Sequence, residues 1–262
     1  MQSINDFSSS EQKIRSLICK FCKNGYLEVS LKYKSWIYYI MDGNFLSIYW
    51  AGDLFDAKDL GGNLLLAEAV EKVSQGRYKV MLPQNGECEV VERTSQSIRD
   101  EDFKLLLNCD VIVANFDGTD LDSGTVVEFC FAKMVDMPAV LLRTDFRDAG
   151  DHTLPDGEPW NLMCSHYPRT KMLHINAMQL YHDVAGGSGS AAGRLQVYYR
   201  AIAEEVVNAL DNVCKQPAWL QKDELLEHYQ RTLKSIGGSI QEKLPESTLT
   251  ALIEKKKQNS LY

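Results

Sequence analysis

The stretch Val111–Glu128, VIVANFDGTDLDSGTVVE, indicates the fold of this chain. Residues 111–116 are apolar and rich in β-branched side chains, which is typical of a buried strand, whereas residues 123–135 suit a helix with Ser123 as its N-cap. The acids and glycines between them therefore lie in a loop that leaves the carboxyl end of a strand. Because open α/β sheets bind ligands at that edge, the loop is a candidate active site.

The same alternation of strands and helices extends to both sides of this stretch. Strands are predicted over residues 46–51, 78–82, 139–143 and 171–175, and further helices over residues 60–73, 97–107 and 195–213. Five short strands with intervening helices predict an α/β fold with a doubly wound parallel sheet, and we favour the flavodoxin-like strand order 2-1-3-4-5. A dinucleotide-binding Rossmann domain is disfavoured because no Gly-x-Gly-x-x-Gly follows the first strand.

The two flanks of this region have different patterns. Residues 1–45 carry an aromatic cluster and end in the turn-forming pair Asp42-Gly43, which we interpret as an added helix and hairpin. From residue 216 onward the pattern is helical and charged, and the interruptions at Gly237-Gly238 and Pro245 predict two short helices. We therefore divide the chain into an N-terminal extension (1–45), an α/β domain (46–215) and a helical C-terminal extension (216–262).

Composition excludes several classes of partner. The net charge of −8 argues against a nucleic-acid-binding surface, and no run approaches the roughly 18 apolar residues of a membrane span. Seven cysteines, an odd number without paired spacing, fit the reduced thiols of a cytoplasmic protein, and residues 1–21 lack the apolar core of a secretory signal. Cys19 and Cys22 have no second cysteine pair or nearby histidine, so we expect no zinc site at this pair. We also predict no other metal and no cofactor.

Four blocks of sequence carry a resemblance to a known family. They are IYWAGDLF at 48–55, NCDVIVA at 108–114 with Asp117-Gly118, DSGT at 122–125 running on to Glu128, and PWNLM at 159–163. In order and spacing they resemble the nucleoside 2-deoxyribosyltransferase family. The resemblance implies an enzyme that cleaves the N-glycosidic bond of a 2′-deoxynucleoside and passes the deoxyribose to another nucleobase. This chain departs from the family pattern at Asp53, where proline is common, and at Cys130, where many members have glycine.

The resemblance implies three catalytic residues. Glu128 matches the carboxylate nucleophile, a group that suits an oxocarbenium-like transition state, and Tyr49 matches the tyrosine that hydrogen-bonds the nucleophile and aims it. Asp102 would supply or relay a proton to the leaving base, which requires a raised carboxyl pKa. Two alternatives stay open, because Tyr49 could be a core aromatic residue and residues 100–102 could be solvated acids in the first turn of a helix.

The resemblance also implies a set of substrate-binding residues. Asp122 would engage the sugar hydroxyls, Gln84 or Glu87 would read the base unless they form a plain turn, and Asn161 would reach into a neighbouring subunit, which predicts a homo-oligomer. The full predicted set is Asp122, Gly52, Phe55, Gln84, Glu87, Gly124, Asn161 and Met163. The alternative for the block at 159–163 is ordinary packing before the fifth strand. Asp120 is predicted to face solvent.

Three functions from different classes follow. The first is the transferase, whose partners would be 2′-deoxynucleosides and free nucleobases. The second is an N-glycoside hydrolase of 2′-deoxynucleosides or 2′-deoxynucleotides, although the acidic residues 53–56 would repel a phosphate. The third is a nonenzymatic nucleotide-sensing protein, against which the joint presence of Tyr49, Asp122 and Glu128 argues.

Overall fold

Five parallel strands form the sheet in the part of the chain that the computed structural model describes, residues 45–86, 94–147 and 157–262. They are β1 (Leu46–Ala51), β2 (Tyr78–Met81), β3 (Val111–Asn115), β4 (Ala139–Arg143) and β5 (Thr170–His174). Their order, β2-β1-β3-β4-β5, confirms the predicted flavodoxin-like fold. The N-terminal helix and hairpin predicted for residues 1–45 lie outside the described residues, apart from Phe45.

Helices connect and follow the strands. They are α1 (Ala57–Val73), α2 (Pro83–Gly86), α3 (Ser95–Asn108), α4 (Ser123–Met134), α5 (Ala177–Val184), α6 (Ala191–Val213), α7 (Leu225–Ile236), α8 (Ile240–Lys243) and α9 (Glu246–Gln258), with a 3-10 helix at Leu162–Cys164. Three helices follow residue 216 where two were predicted, because α8 occupies the segment between Gly237-Gly238 and Pro245. No helix within the described ranges is both long and apolar enough to cross a bilayer.

Helix α1 begins three residues earlier than predicted because Asp56 caps it. The Asp56 carboxylate accepts hydrogen bonds from the backbone N–H groups of Lys58 and Asp59, at 2.7 and 3.1 Å. An aspartate at the N-cap satisfies donors that have no partner inside the helix, and its charge is stabilised by the helix dipole. The N-terminus of α1 is therefore already occupied by a carboxylate of the chain itself.

The sheet has helices on both faces. Ile48 and Trp50 of β1 belong to a buried core that includes residues of α1 and α6. Since successive side chains of a strand point to opposite faces, Tyr49 points to the other face. That face is covered by α3 and α4, which pack on each other through Phe103 and Phe131, with ring centroids 4.6 Å apart. The helices that carry Asp102 and Glu128 thus lie on the same face of the sheet as Tyr49.

A buried carboxylate fixes the pairing of β1 with β3. Asp110, just before β3, accepts hydrogen bonds from the backbone N–H and the hydroxyl of Ser47 on β1, both at 2.8 Å. Asp110 is 1% exposed, so these bonds are shielded from water and are costly to break. The register of β1 against β3 is therefore held at the amino end of the sheet.

Candidate active site

Tyr49 and Glu128 form a hydrogen-bonded pair near the carboxyl edge of the sheet. Tyr49 is fully buried on β1, Glu128 is half-buried in the second turn of α4, and the tyrosine hydroxyl donates to Glu128 Oε1. Burial raises the pKa of Glu128 to about 7; the Tyr49 hydrogen bond lowers that pKa, and the charges of Asp102 and Asp122 raise it. Burial, followed by the Glu128 charge, holds the pKa of Tyr49 well above its ordinary value, so Tyr49 remains a donor. The Glu128 carboxyl group in this pair is therefore close to half ionised at neutral pH.

Asp102 lies in the interior of α3 and not in its first turn. Helix α3 begins at Ser95 and is capped by Thr94, whose hydroxyl accepts from the backbone N–H of Ser97 at 3.0 Å. The alternative that residues 100–102 are acids in a first turn is therefore wrong. Asp102 is half-buried, and its charge acts on both Tyr49 and Glu128. The fold thus places Asp102 within electrostatic reach of the pair.

The N-cap of α4 is Asp122, which corrects the prediction of Ser123. Asp122 Oδ2 accepts hydrogen bonds from the Thr125 backbone N–H at 2.7 Å and from the Thr125 hydroxyl at 2.8 Å. A Cβ at Gly124 would lie only 3.1 Å from that oxygen, so a glycine there leaves room for the carboxylate to fold back. Ser123 is already helical, and a carboxylate interacts more favourably with the helix dipole than a hydroxyl does. Asp122 therefore anchors the start of the helix that carries Glu128.

Two charged residues hold the β3–α4 loop: Arg143, which the sequence analysis missed, and Asp117, which it named only as part of a motif. Arg143, fully buried at the end of β4, donates to the carbonyl oxygens of Phe116, of Gly118 at 3.1 Å and of Arg147 at 2.8 Å. In return, Asp117 accepts from the Thr144 backbone N–H at 2.5 Å and hydroxyl at 2.6 Å. The available signal was an arginine closing the apolar strand AVLLR at the ligand-binding edge. Asp120, in the same loop, is exposed as predicted.

The crevice between β1 and β3 is narrow and acidic. A Cβ at Gly52 would lie 3.1 Å from Asn115 Cβ, so glycine allows the two strand ends to approach closely. Beside it is a cavity of about 180 Å³ whose lining includes Asp53, Asp59 and Asp117. Partial burial raises the pKa of Asp53, and the neighbouring Asp122, Asp59, Asp117 and Asp56 charges raise it further. The crevice therefore opposes the approach of an additional negative charge.

No metal site accompanies these acids in the described residues. Residues 45–86, 94–147 and 157–262 contain no group of three or more His, Cys, Asp or Glu side chains arranged to hold a metal ion.

Three further residues predicted to bind substrate have different environments. Phe55 is 76% exposed in the β1–α1 loop. Gln84, in α2, is held against α1, because its amide nitrogen donates to the Leu60 carbonyl at 3.1 Å and its amide oxygen accepts from Asn63 at 3.5 Å. Glu87 lies outside the described residues. Substrate binding by Phe55 and base recognition by Gln84 or Glu87 stay predictions.

Asn161 and Met163 lie on the surface. Asn161 Oδ1 accepts from the Met163 backbone N–H at 3.0 Å and so begins the 3-10 helix, and Met163 is 71% exposed. The preceding Trp160 is buried and packs on Phe116, with ring centroids 5.4 Å apart. Trp160 is thus an ordinary packing residue, which is the alternative considered for the block at 159–163, whereas Met163 is not. Contribution of Asn161 to a neighbouring subunit stays a prediction.

Comparison with known proteins gives a match to a family model and likenesses to several solved structures. Residues 48–163 match the family model for nucleoside 2-deoxyribosyltransferase. A conserved protein from Enterococcus faecalis is 22% identical, with a TM-score of 0.42 over 60% of this chain and 99% of that chain. A 2-desoxiribosyltransferase from Leishmania mexicana is 21% identical, with a TM-score of 0.37 over 46% of this chain and 86% of that chain. No curated protein matches the chain.

The region that matches the family model contains the geometry described above. It runs from β1 to the 3-10 helix and includes Tyr49, Asp102, Asp122 and Glu128. Over residues 48–163, which are less than half of the chain, the protein is thus similar to the nucleoside 2-deoxyribosyltransferase family.

Proposed function

We propose that the protein transfers 2-deoxyribose between nucleobases through a covalent glycosyl-Glu128 intermediate, with retention of configuration. The observation that carries the proposal is the Tyr49–Glu128 hydrogen bond, in which a fully buried tyrosine holds a half-buried carboxylate near the ligand-binding edge of the sheet. The family match of residues 48–163 supports the class of substrate.

In the first half-reaction, Glu128 attacks C1′ of a 2′-deoxynucleoside. Tyr49 engages Oε1, so Oε2 is the oxygen that forms the new bond. In the reactive form of the complex Glu128 is ionised and Asp102 carries the proton. As the C1′–N bond breaks, its electron pair leaves with the base, and Asp102 donates that proton to the base nitrogen. The carboxylate stabilises the positive charge that develops on the sugar before the covalent bond is complete. Burial favours this attack because it removes the water that would otherwise solvate the nucleophile.

In the second half-reaction, a nitrogen of the incoming nucleobase attacks C1′ and Glu128 leaves as a carboxylate. The proton released by the incoming base returns to Asp102. Two inversions at C1′ give net retention. The Tyr49 hydroxyl assists this step, because a hydrogen bond that stabilises the charged carboxylate makes Glu128 a better leaving group.

Uncharged nucleosides fit the crevice better than nucleotides. Helix N-termini commonly bind phosphate, but the first N–H groups of α1 already donate to Asp56. Asp53, Asp59 and Asp117 line the adjoining cavity and would repel a phosphate. We therefore propose 2′-deoxynucleosides as donors and free nucleobases as acceptors. The exposed Asn161 is available to a second copy in the proposed homo-oligomer.

The test is an exchange reaction followed by chromatography. The protein is incubated with 2′-deoxyinosine or 2′-deoxyuridine, with and without adenine. We expect 2′-deoxyadenosine only when adenine is present. Release of free base at an equal rate without adenine would indicate a hydrolase, and no product across purine and pyrimidine donors would contradict both enzymatic functions.

Matched variants and a mass measurement test the covalent step. Glu128→Ala should abolish product, whereas Asp120→Ala, an exposed acid in the neighbouring loop, should retain wild-type activity. Acid-quenched protein incubated with a donor alone should gain the mass of one deoxyribosyl group, and Glu128→Ala should not. Active protein that never carries this mass, even with a slow donor, would argue for direct displacement.

A further inference from the structure

The C-terminal extension, residues 216–262 and called the C-terminal segment below, contacts α3 through a buried carboxylate. Asp100 is fully buried, and its Oδ2 accepts hydrogen bonds from the backbone N–H and the hydroxyl of Ser239, at 2.7 and 2.8 Å. The neighbouring Arg99 donates to the carbonyl oxygen of Ile236 at 2.5 Å. Charge-assisted hydrogen bonds shielded from water are strong, and breaking them leaves a buried charge without its donors. This contact is therefore rigid.

The contact between Asp100 and Ser239 lies on the side of α3 opposite the candidate active site. Consecutive residues of an α-helix are about 100° apart, so Asp100 and Asp102 point in nearly opposite directions. Asp100 faces Ser239, whereas the charge of Asp102 acts on Tyr49 and Glu128. The helix is thus held between the C-terminal segment on one side and the catalytic face of the sheet on the other.

The same C-terminal region holds the end of α4. The hydroxyl of Tyr262 donates to the Val135 carbonyl at 2.7 Å, and a ring nitrogen of His228 lies 2.6 Å from the Met134 carbonyl oxygen. Helix α4 carries Glu128. Both helices of the candidate site are therefore tied to one external segment, which lies beyond the residues that match the family model.

We propose that the C-terminal segment positions the active site by fixing α3, through Asp100 and Ser239, at the separation from α4 that Asp102 and Glu128 require. The inference rests on the proposed roles of Asp102 and Glu128. Asp100 and Ser239 are positioning residues, since they act on the reaction through the placement of α3. A displacement of about 1 Å in a reacting group can lower a rate about a hundredfold, so such a contact has a measurable effect.

Two adjacent glycines provide a matched pair of substitutions. Gly237 and Gly238 both have a positive φ, of +67° and +73°. A Cβ at Gly238 would lie 2.6 and 2.8 Å from the two carboxylate oxygens of Asp100, whereas a Cβ at Gly237 would meet nothing within 4 Å. Alanine is strained at both positions, and more so at Gly237, where ψ is −154°, so Gly237→Ala is a stringent control for backbone strain. Only Gly238→Ala also brings a side chain against Asp100, and we expect this contact to push α3 towards the sheet.

The experiment measures the pKa of Glu128 by carboxyl-carbon NMR titration, with the signal assigned by its loss in Glu128→Gln. In Gly238→Ala we expect this pKa to rise by about half a unit, because the like charge of Asp102 moves closer. The kcat for deoxyribosyl transfer should fall about tenfold with little change in KM. Gly237→Ala should leave the Glu128 pKa and kcat at wild-type values. Equal changes in both variants, or none in Gly238→Ala, would overturn the inference.

Two further variants keep the test decisive. Asp100→Ser in the Gly238→Ala background removes the clashing oxygens while retaining an acceptor for Ser239, and it should restore part of kcat and of the Glu128 pKa. If Gly238→Ala does not fold, Ser239→Ala loosens the same contact, and it should lower the Glu128 pKa as Asp102 retreats; an unchanged value would contradict positioning. The NMR titration needs no substrate, so it can be interpreted even if transfer is not observed. Wild-type protein without transfer activity would contradict the proposed function, whereas a Glu128 pKa that does not change in these variants would contradict this inference.

Discussion

Replacing Glu128 by glutamine should stabilise the folded protein while it abolishes transfer. Burial raises the pKa of Glu128 from 4.5 to about 7, which means that folding disfavours its charged form. Each pH unit of that difference corresponds to about 1.4 kcal/mol, so the cost at alkaline pH is about 3 kcal/mol at most. Solvent screening at a half-buried site reduces this to about 2 kcal/mol. Glutamine keeps the shape and an acceptor for Tyr49 without the charge.

The gain in stability should depend on pH in a defined direction. Because the folded pKa is raised, the folded state binds the Glu128 proton more tightly than the unfolded state does. Below the unfolded pKa of 4.5 both states are protonated and the carboxyl group carries no penalty. The penalty grows between pH 4.5 and about 7 and is complete above that range. Glu128→Gln should therefore match wild type near pH 4 and exceed it by about 2 kcal/mol near pH 8.

Urea unfolding followed by circular dichroism at several pH values measures this difference. Glu205→Gln, at an exposed position of α6, is the matched control and should show no comparable gain. A Glu128→Gln stability difference that stays constant from pH 4 to pH 8 would refute the reasoning. A variant less stable than wild type at pH 8 would show that the charged carboxylate supports the fold.

Three further substitutions test the surroundings of Glu128. Tyr49→Phe removes the hydrogen-bond donor that lowers the Glu128 pKa, so the acidic limb of the pH profile of kcat/KM should move to higher pH. The rate should also fall roughly tenfold to a thousandfold. An acidic limb that does not move would contradict the Tyr49–Glu128 pairing. Asp122→Ala should lower the free energy of unfolding by about 1 kcal/mol through loss of the α4 cap, measured by urea unfolding, whereas Asp120→Ala should not change it. Arg143→Met should abolish transfer while circular dichroism shows retained helices; full activity would mean that the loop keeps its shape without the guanidinium.

The order of the sheet could be predicted from the sequence because strand and helix patterns alternate with little ambiguity. The predicted β4 agrees with the structure at both ends, since Ala139–Arg143 is apolar up to its final residue. A right-handed crossover between parallel strands then leaves few topologies. The N-cap of α4 is Asp122 and not the predicted Ser123; both are good capping residues, and only the fold of the loop distinguishes them.

The contacts that hold the candidate site were harder to predict. Arg143 reaches the carbonyls of a loop that precedes it by 25 residues or more, and Asp100 meets Ser239, 139 residues away. Each depends on where two distant segments meet, which local periodicity does not encode. Glu128 and Tyr49 could be proposed only because short motifs carried the family resemblance. Nothing in their own spacing indicates that the tyrosine hydroxyl reaches the carboxylate.

The carboxylate of Asp56 competes with any free anion for the N-terminal N–H groups of α1. A tethered carboxylate has a very high effective concentration at the N-terminus of its helix, which a freely diffusing phosphate must overcome. Phosphorylated metabolites would thus be excluded from the crevice even where they greatly outnumber free nucleosides. Asp56, which lies outside the reacting centre, would then determine whether the protein binds free nucleosides or phosphorylated metabolites.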